Sequence, residues 1–254
     1  MDIIKVKNTS YTKYEEVLLR RDNLRKEAEE YHLAFIREFG DLITESFKLK
    51  IECIKKKKMI AYCQRMINQG KEINQNALTS FIEREMAEYN KELEDMLRDV
   101  KAVKDAKTIT PMELKKIKEI YYALVKLIHP DMHPELADDE ILKDYWQRIV
   151  IAYRYNNLSE LEELEVLVKS YLDNKDMDVS GFEIENLEAK IELVEKEIDE
   201  IISTNPYLYK IVLSDDIEVE QRKQAYKDEI RSYTNYSEQL QEVLDEFEIK
   251  EMYS

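Results

Sequence analysis

The chain has 254 residues, of which 37% are charged and 44% hydrophobic, with only 3 glycines and 4 prolines. So few chain breakers beside so much Glu, Lys, Leu and Ile exclude a sheet-rich fold, and no sustained period-two run or Asn-Gly or Asp-Gly hairpin signal opposes long helices. The net charge of −16 is uneven: residues 1–134 carry 26 Lys and Arg against 23 Asp and Glu, residues 135–254 carry 13 against 32, so the acidic half should repel nucleic acid and anionic membrane surfaces.

Residues 1–8 lack a partner pattern and are expected to fray. Thr12 and Glu15 have capping-box spacing, so a helix is expected to start near Thr12. Tyr14, Val17, Leu24, Ala28, Tyr31 and Phe35 follow at 3–4 spacing, interrupted by Arg21. Gly40 falls inside this pattern, and the stripe resumes beyond it with a change of phase, which predicts a bend near Gly40 in a helix reaching about Asn68. Asn68-Gln69-Gly70 supplies the stop, with Gly70 as the glycine after the helix. Cys53 and Cys63 lie ten apart on this helix, roughly 15 Å along its axis and too far for a disulfide with each other.

A second helix is expected over about Asn76–Ala106, with Leu78, Ile82, Met86, Val100 and Val103 in its seam, antiparallel to the first because the link is short. Thr110-Pro111-Met112-Glu113 then combines a Thr cap, Pro at the first helical position and Glu at the third. From it Ile117, Tyr121, Leu124 and Ile128 line one face until Pro130 forces His129 out of the helical region. Asp138 or Asp139 can cap the next helix, whose inner face is Leu142, Trp146, Ile149, Ala152 and Tyr153. Asn156-Asn157 breaks it, and Ser159 with Glu162 is expected to cap another. Residues 173–181 read as a polar linker. Beyond it Ser180 and Glu183 are expected to cap a coiled-coil helix carrying Ile191, Val194 and Ile198, and a last helix over about Asp216–Glu248 carries Tyr226, Tyr233, Leu240 and Leu244. These two can fold back on each other or pair with a second chain.

The segment IKEIYYALVKLIHPD, Ile117 to Asp131, together with WQRIVIAY, Trp146 to Tyr153, resembles the J domain of DnaJ-like co-chaperones. That family has a helix of the form IRKAYRRLAxKYHPD, a loop, and a helix ending FKxINEAYxxL. Ile117, Tyr121, Leu124 and His129-Pro130-Asp131 match in register, Trp146 stands for the Phe, and Ala152-Tyr153 is kept. The likeness covers about Pro111 to Asn157, under a fifth of the chain. It implies that His129, Pro130 and Asp131 dock on a DnaK-class ATPase chaperone, aided by the helix cations Lys118 and Lys126. The chemistry of the residues agrees: a protonated ring or N–H donor is favoured at a helix C-terminus, and Asp131 offers a carboxylate to a partner arginine. Two departures stand out. The family's first short helix has no counterpart, and Asn76–Ala106 is expected to cover its apolar face. The basic face before the HPD turn is thin, with four Lys and two Glu over Pro111–Ile128, which leaves weak steering toward an acidic partner.

The remaining features argue against catalysis. There is no P-loop, GxSxG or Gly-rich loop, and the carboxylates lie on helix faces rather than around a cleft. His129 and His133 are four apart, but Pro130 denies them a common helical face, so no metal or cofactor is expected. The run Lys48–Lys71 holds eight basic residues and one acid. It reads as a solvated helix face or as a polyanion patch, since four consecutive lysines point all round a helix. The N-terminal MDIIKVKNTS has no apolar core fit for a signal peptide and no run approaches a membrane span, so a soluble cytoplasmic protein is expected.

The expectation is therefore an all-α fold without sheet. Residues 1–107 should form an antiparallel helical arm, 108–173 a J-domain-like module, and 174–254 an acidic coiled-coil hairpin. Its function is expected to be docking on a DnaK-class chaperone, or assembly as a coiled-coil adaptor with a homodimer as one form.

Overall fold

A computed structural model describes residues 2–105, 109–136, 138–174 and 186–247 of the chain. All described secondary structure is helical, with no strand among the described residues. The helices are α1 (Asp2–Asn68), α2 (Gln75–Asp105), α3 (Pro111–Ile128), α4 (Glu140–Arg154), α5 (Leu158–Asn174), α6 (Leu187–Ser203), α7 (Tyr209–Leu213) and α8 (Asp216–Asp245), with a 3₁₀ turn at Pro134–Leu136.

The helices sort into two compact units, residues 1–32 with 107–210, and residues 33–106 with 211–254. Each unit draws on two separate stretches of the chain. The reason is α1. It runs unbroken for 67 residues, and its two stretches belong to different units, each with its own set of shorter helices.

In the first unit, α3 buries Ile117, Ile120, Tyr121, Leu124, Val125 and Ile128. These positions make a stripe too wide for one neighbour to cover. Helix α4 packs antiparallel to α3, as the contacts of Tyr121 with Tyr153 and of His129 with Trp146 show. Helix α5 joins them through Leu161, Leu164 and Val168, α6 through Ile191, Val194 and Ile198, and α1 through Tyr14, Val17 and Leu18. The cover expected from Asn76–Ala106 thus comes from α1 instead. Helix α2 belongs to the other unit, where its own seam is spent.

In that second unit, α2 runs antiparallel to α1: Tyr62 packs on Phe81, Lys58 pairs with Glu85, and Lys104 with Asp41. Helix α8 runs parallel to α1, with Tyr226 near Phe39, Lys223 bonded to Glu38, and Lys56 donating to Ser237. Helix α6 lies in the first unit and α8 in the second; each packs on α1 within its own unit, and their seam residues Val194 and Leu240 are 5% and 9% exposed.

Local signals explain several helix ends. Gly70 sits at φ 68°, and Lys71 N–H donates to the Met66 carbonyl at 3.0 Å, the six-residue closure of a Schellman end. Asp139 caps α4 by accepting from the N–H groups of Ile141 and Leu142. Asn156 takes the left-handed conformation at φ 57°, and Asn157 Oδ1, rather than Ser159, accepts from Glu160 N–H to start α5. Asp173 and Asn174, the start of the expected linker, belong to α5; the rest of it and the Ser180–Glu183 cap fall on residues 175–185, outside the described residues. Helix α1 extends back to Asp2, well before Thr12.

Gly40 does not interrupt α1. A Cβ at that position would lie 2.8 Å from Val100 Cγ2 and 3.2 Å from Ile36 Cγ2. The glycine is there because α2 passes too close for any side chain. Gly40→Ala should therefore destabilise the protein by about 1 kcal/mol net, because overpacking outweighs the roughly 1 kcal/mol that alanine brings to a helix interior. Urea unfolding checks it: the cost should shrink in a Val100→Ala background, and equal costs in both backgrounds would contradict the close approach.

Candidate functional site

The turn after α3 is built by local hydrogen bonding. At its start, α3 carries the full capping box: Thr110 Oγ1 accepts from Glu113 N–H at 3.2 Å, and the Glu113 carboxylate accepts from Thr110 N–H at 2.8 Å. At its end, His129 adopts an extended conformation, φ −61° and ψ 124°, while its N–H still donates to the Val125 carbonyl. The His129 carbonyl then accepts from the N–H groups of Met132 and His133 at 2.9 and 2.8 Å, closing the turn over Pro130 and Asp131. In sequence, His133 offers itself only as a metal ligand. It is instead a cap: its Nε2 lies 2.8 Å from the Lys126 carbonyl, and since a carbonyl only accepts, the ring donates and satisfies one of the free acceptors at the end of α3.

His129 points inward. Its side chain is 3% exposed, and its ring meets Trp146 edge-on at 4.6 Å. Nδ1 accepts from Asp131 N–H at 3.0 Å, which places the proton of the neutral ring on Nε2. That atom has no hydrogen-bond partner. Burial pushes the His129 pKa down to about 4; the carboxylates of Asp22 and Asp131 oppose the shift but do not overcome it. The helix C-terminus, which would favour a protonated ring, is thus outweighed by desolvation.

The other docking candidates are distributed unevenly. Pro130 is half-buried, and Asp131 is 45% exposed beside the neutral His129. Lys118 and Lys126 are exposed on α3, but Lys126 is paired with Glu15 of α1 at 3.0 Å. Tyr11 OH also donates to the Met132 carbonyl at 3.1 Å. The structure brings His129, Pro130 and Asp131 to one cavity of about 360 Å³, whose lining does not include Lys118 or Lys126.

No known family, curated protein or solved structure matches the chain.

Several residues of the cavity were not singled out from the sequence. Tyr121 OH donates to Asp22 Oδ2 at 2.8 Å, and Arg21 pairs with the other oxygen at 3.0 Å. Burial and the Asp22 charge raise the Tyr121 pKa far above the ordinary phenol value. Asn23 donates to Tyr122 OH at 2.7 Å and accepts from Tyr153 OH at 2.6 Å. Lys26, 3% exposed, donates to the Tyr153 carbonyl at 2.8 Å and to Asn156 Oδ1. The one signal available was Arg21 breaking an apolar stripe: its helix face continues through Asp22 and Lys26 toward tyrosines that need polar partners.

The lysine run of α1 is divided in the same way. Lys56 is buried on Ser237 and Glu52, Lys58 pairs with Glu85, and Arg65 stacks over Tyr62. Among the described residues no group of three His, Cys, Asp or Glu could hold a metal, and no helix is long and apolar enough to cross a membrane. Both cysteines are free and buried.

The depressed pKa of His129 makes stability depend on pH. Between the ordinary value of about 6.5 and about 4, the unfolded chain binds a proton here that the folded chain refuses, so stability falls as pH drops through that window. Relative to pH 7, this group should cost about 2 kcal/mol near pH 5. His129→Asn keeps an acceptor at the Nδ1 position and cannot titrate. Urea unfolding at the two pH values should show a smaller acid-side loss in the variant than in the wild type; equal losses would contradict a buried neutral ring.

Proposed function

We propose that this chain is an interaction protein that presents a J-like helix hairpin to a DnaK-class ATPase chaperone. The contact is made by Pro130, the Asp131 carboxylate and the exposed cations of α3, while His129 holds the turn from inside. What supports this reading most is the position of Asp131. It stands at the tip of the antiparallel α3–α4 pair with its carboxylate half exposed, where a partner guanidinium can take it in a forked, charge-assisted pair. Lys118 is exposed farther back on α3, and Lys126 becomes available if Glu15 exchanges for a carboxylate of the partner. Steering is weak, because α3 carries only four Lys against two Glu.

A second reading is favoured by the burial of His129. If the turn serves only to close the hairpin, the chain is an assembly adaptor with no chaperone activity. The seams first expected to join two chains are buried inside each unit, so an adaptor of this kind binds through its helix surfaces.

The two readings part in a steady-state ATPase assay with a DnaK-class chaperone. The first predicts stimulation by the wild-type chain, abolished by Asp131→Asn and reduced by Lys118→Glu. Absence of stimulation and of binding by the wild-type chain overturns it and leaves the adaptor.

A further inference from the structure

The cavity beside the HPD turn collects cationic donors that the protein does not fully use. Its lining includes Arg21, Arg25, Lys26 and Arg154 against the carboxylates of Asp22 and Asp131. With His129 neutral, and with Glu197 paired to Arg25 and Arg21 at the edge, that leaves a surplus of one positive charge in a chain whose net charge is −16. Such a local excess runs against the field of the whole molecule.

The four cations differ in what they already hold. Arg21 is taken by Asp22, and Arg25 pairs with Glu197 at 2.9 Å. Lys26 has only neutral partners, the Tyr153 carbonyl, Asn156 Oδ1 and the face of the Tyr153 ring 4.5 Å away, and no carboxylate is bonded to it. Burial pushes its pKa down to about 8, with Glu30 opposing and Lys118 assisting the shift. A buried ammonium without a carboxylate is costly, and an incoming anion relieves it. Arg154 is half-buried at the end of α4, and its guanidinium makes no hydrogen bond or ion pair among the described residues. The His129 ring forms part of the same wall, and its buried Nε2–H is a further donor without an acceptor. Trp146 and Val150 supply an apolar side.

We propose that this cavity binds a small organic oxyanion, a carboxylate or phosphate group on an apolar body, held by Lys26 and Arg154 with the body toward Trp146 and Val150. Its volume of about 360 Å³ is at the lower end of the range for small-molecule sites, enough for a compact ligand and too little for a folded segment. The proposal does not depend on a chaperone partner. It is tested on the isolated full chain.

Trp146 is the only tryptophan, so its fluorescence reports on this cavity alone. The chain is titrated with cyclohexanecarboxylate and with phenyl phosphate at ionic strength held constant with chloride, and with cyclohexanol as the uncharged control. The expected result is a saturable change with at least one oxyanion and none with cyclohexanol. Response to one probe but not the other identifies the head group. Arg154→Gln, which removes no hydrogen bond or ion pair among the described residues and should leave the melting midpoint in place, is expected to weaken binding roughly tenfold, and Arg154→Lys to recover part of it. No saturable change with either oxyanion overturns the proposal, as does an unchanged affinity in Arg154→Gln.

Discussion

The hydrogen bond from Tyr121 to Asp22 is the contact on which the first unit depends. Both partners are nearly without solvent, Tyr121 at 1% and Asp22 at 8% exposure. Helix α3 has an apolar stripe too wide for α4 and α5 to cover, so it needs α1. Tyr121 brings a hydroxyl into that seam, and a buried hydroxyl without a partner is expensive. Asp22 accepts it and is itself neutralised by Arg21. The same face of α1 satisfies Tyr122 and Tyr153 through Asn23, and the end of α4 through Lys26. One polar ridge, set between Leu18 and Ala28, thus fixes the register of a long helix that apolar contacts alone would leave free to slide.

This arrangement decides what the HPD turn can offer. Two demands compete for His129. A docking residue must reach a partner, whereas the turn needs an acceptor for Asp131 N–H and the core needs a filled site against Trp146. In this structure the core has the ring. A neutral, inward histidine cannot lend charge to a partner; under the proposed docking, recognition would fall to Asp131, Pro130 and the α3 lysines. Glu15 and Tyr11 of α1 already hold Lys126 and the Met132 carbonyl at the edge of the turn. Access to the turn and attachment of α1 are therefore linked.

Much of this fold was legible in the sequence wherever the determinant was local. The Thr110–Glu113 box, the stop at Pro130, the Gly70 end of α1 and the break at Asn156 each act through their own neighbours, and each is where the pattern puts it. The residues that failed to show themselves act through distant partners. Gly40 reads as a bend because nothing nearby in sequence reveals Val100 against it. The seams of α6 and α8 read as a hairpin because 3–4 spacing states that a face is buried but not against what; α1 takes both. In the site, the turn residues were readable, but the inward orientation of His129 was not, since it follows from α1 and Trp146 closing over the ring. Arg21 was visible only as a defect in a stripe, although with Asp22 it marks the seam.

A double-mutant cycle on Asp22 and Tyr121 tests the account most directly. Asp22→Asn, Tyr121→Phe and the double variant are unfolded in urea alongside the wild type. If α1 is held to the hairpin by this buried bond, the two substitutions couple by about 1 to 3 kcal/mol, the double variant losing less than the sum of the single losses. Losses that add within about 0.5 kcal/mol would show that the two side chains do not meet, and that the HPD turn is not covered by α1.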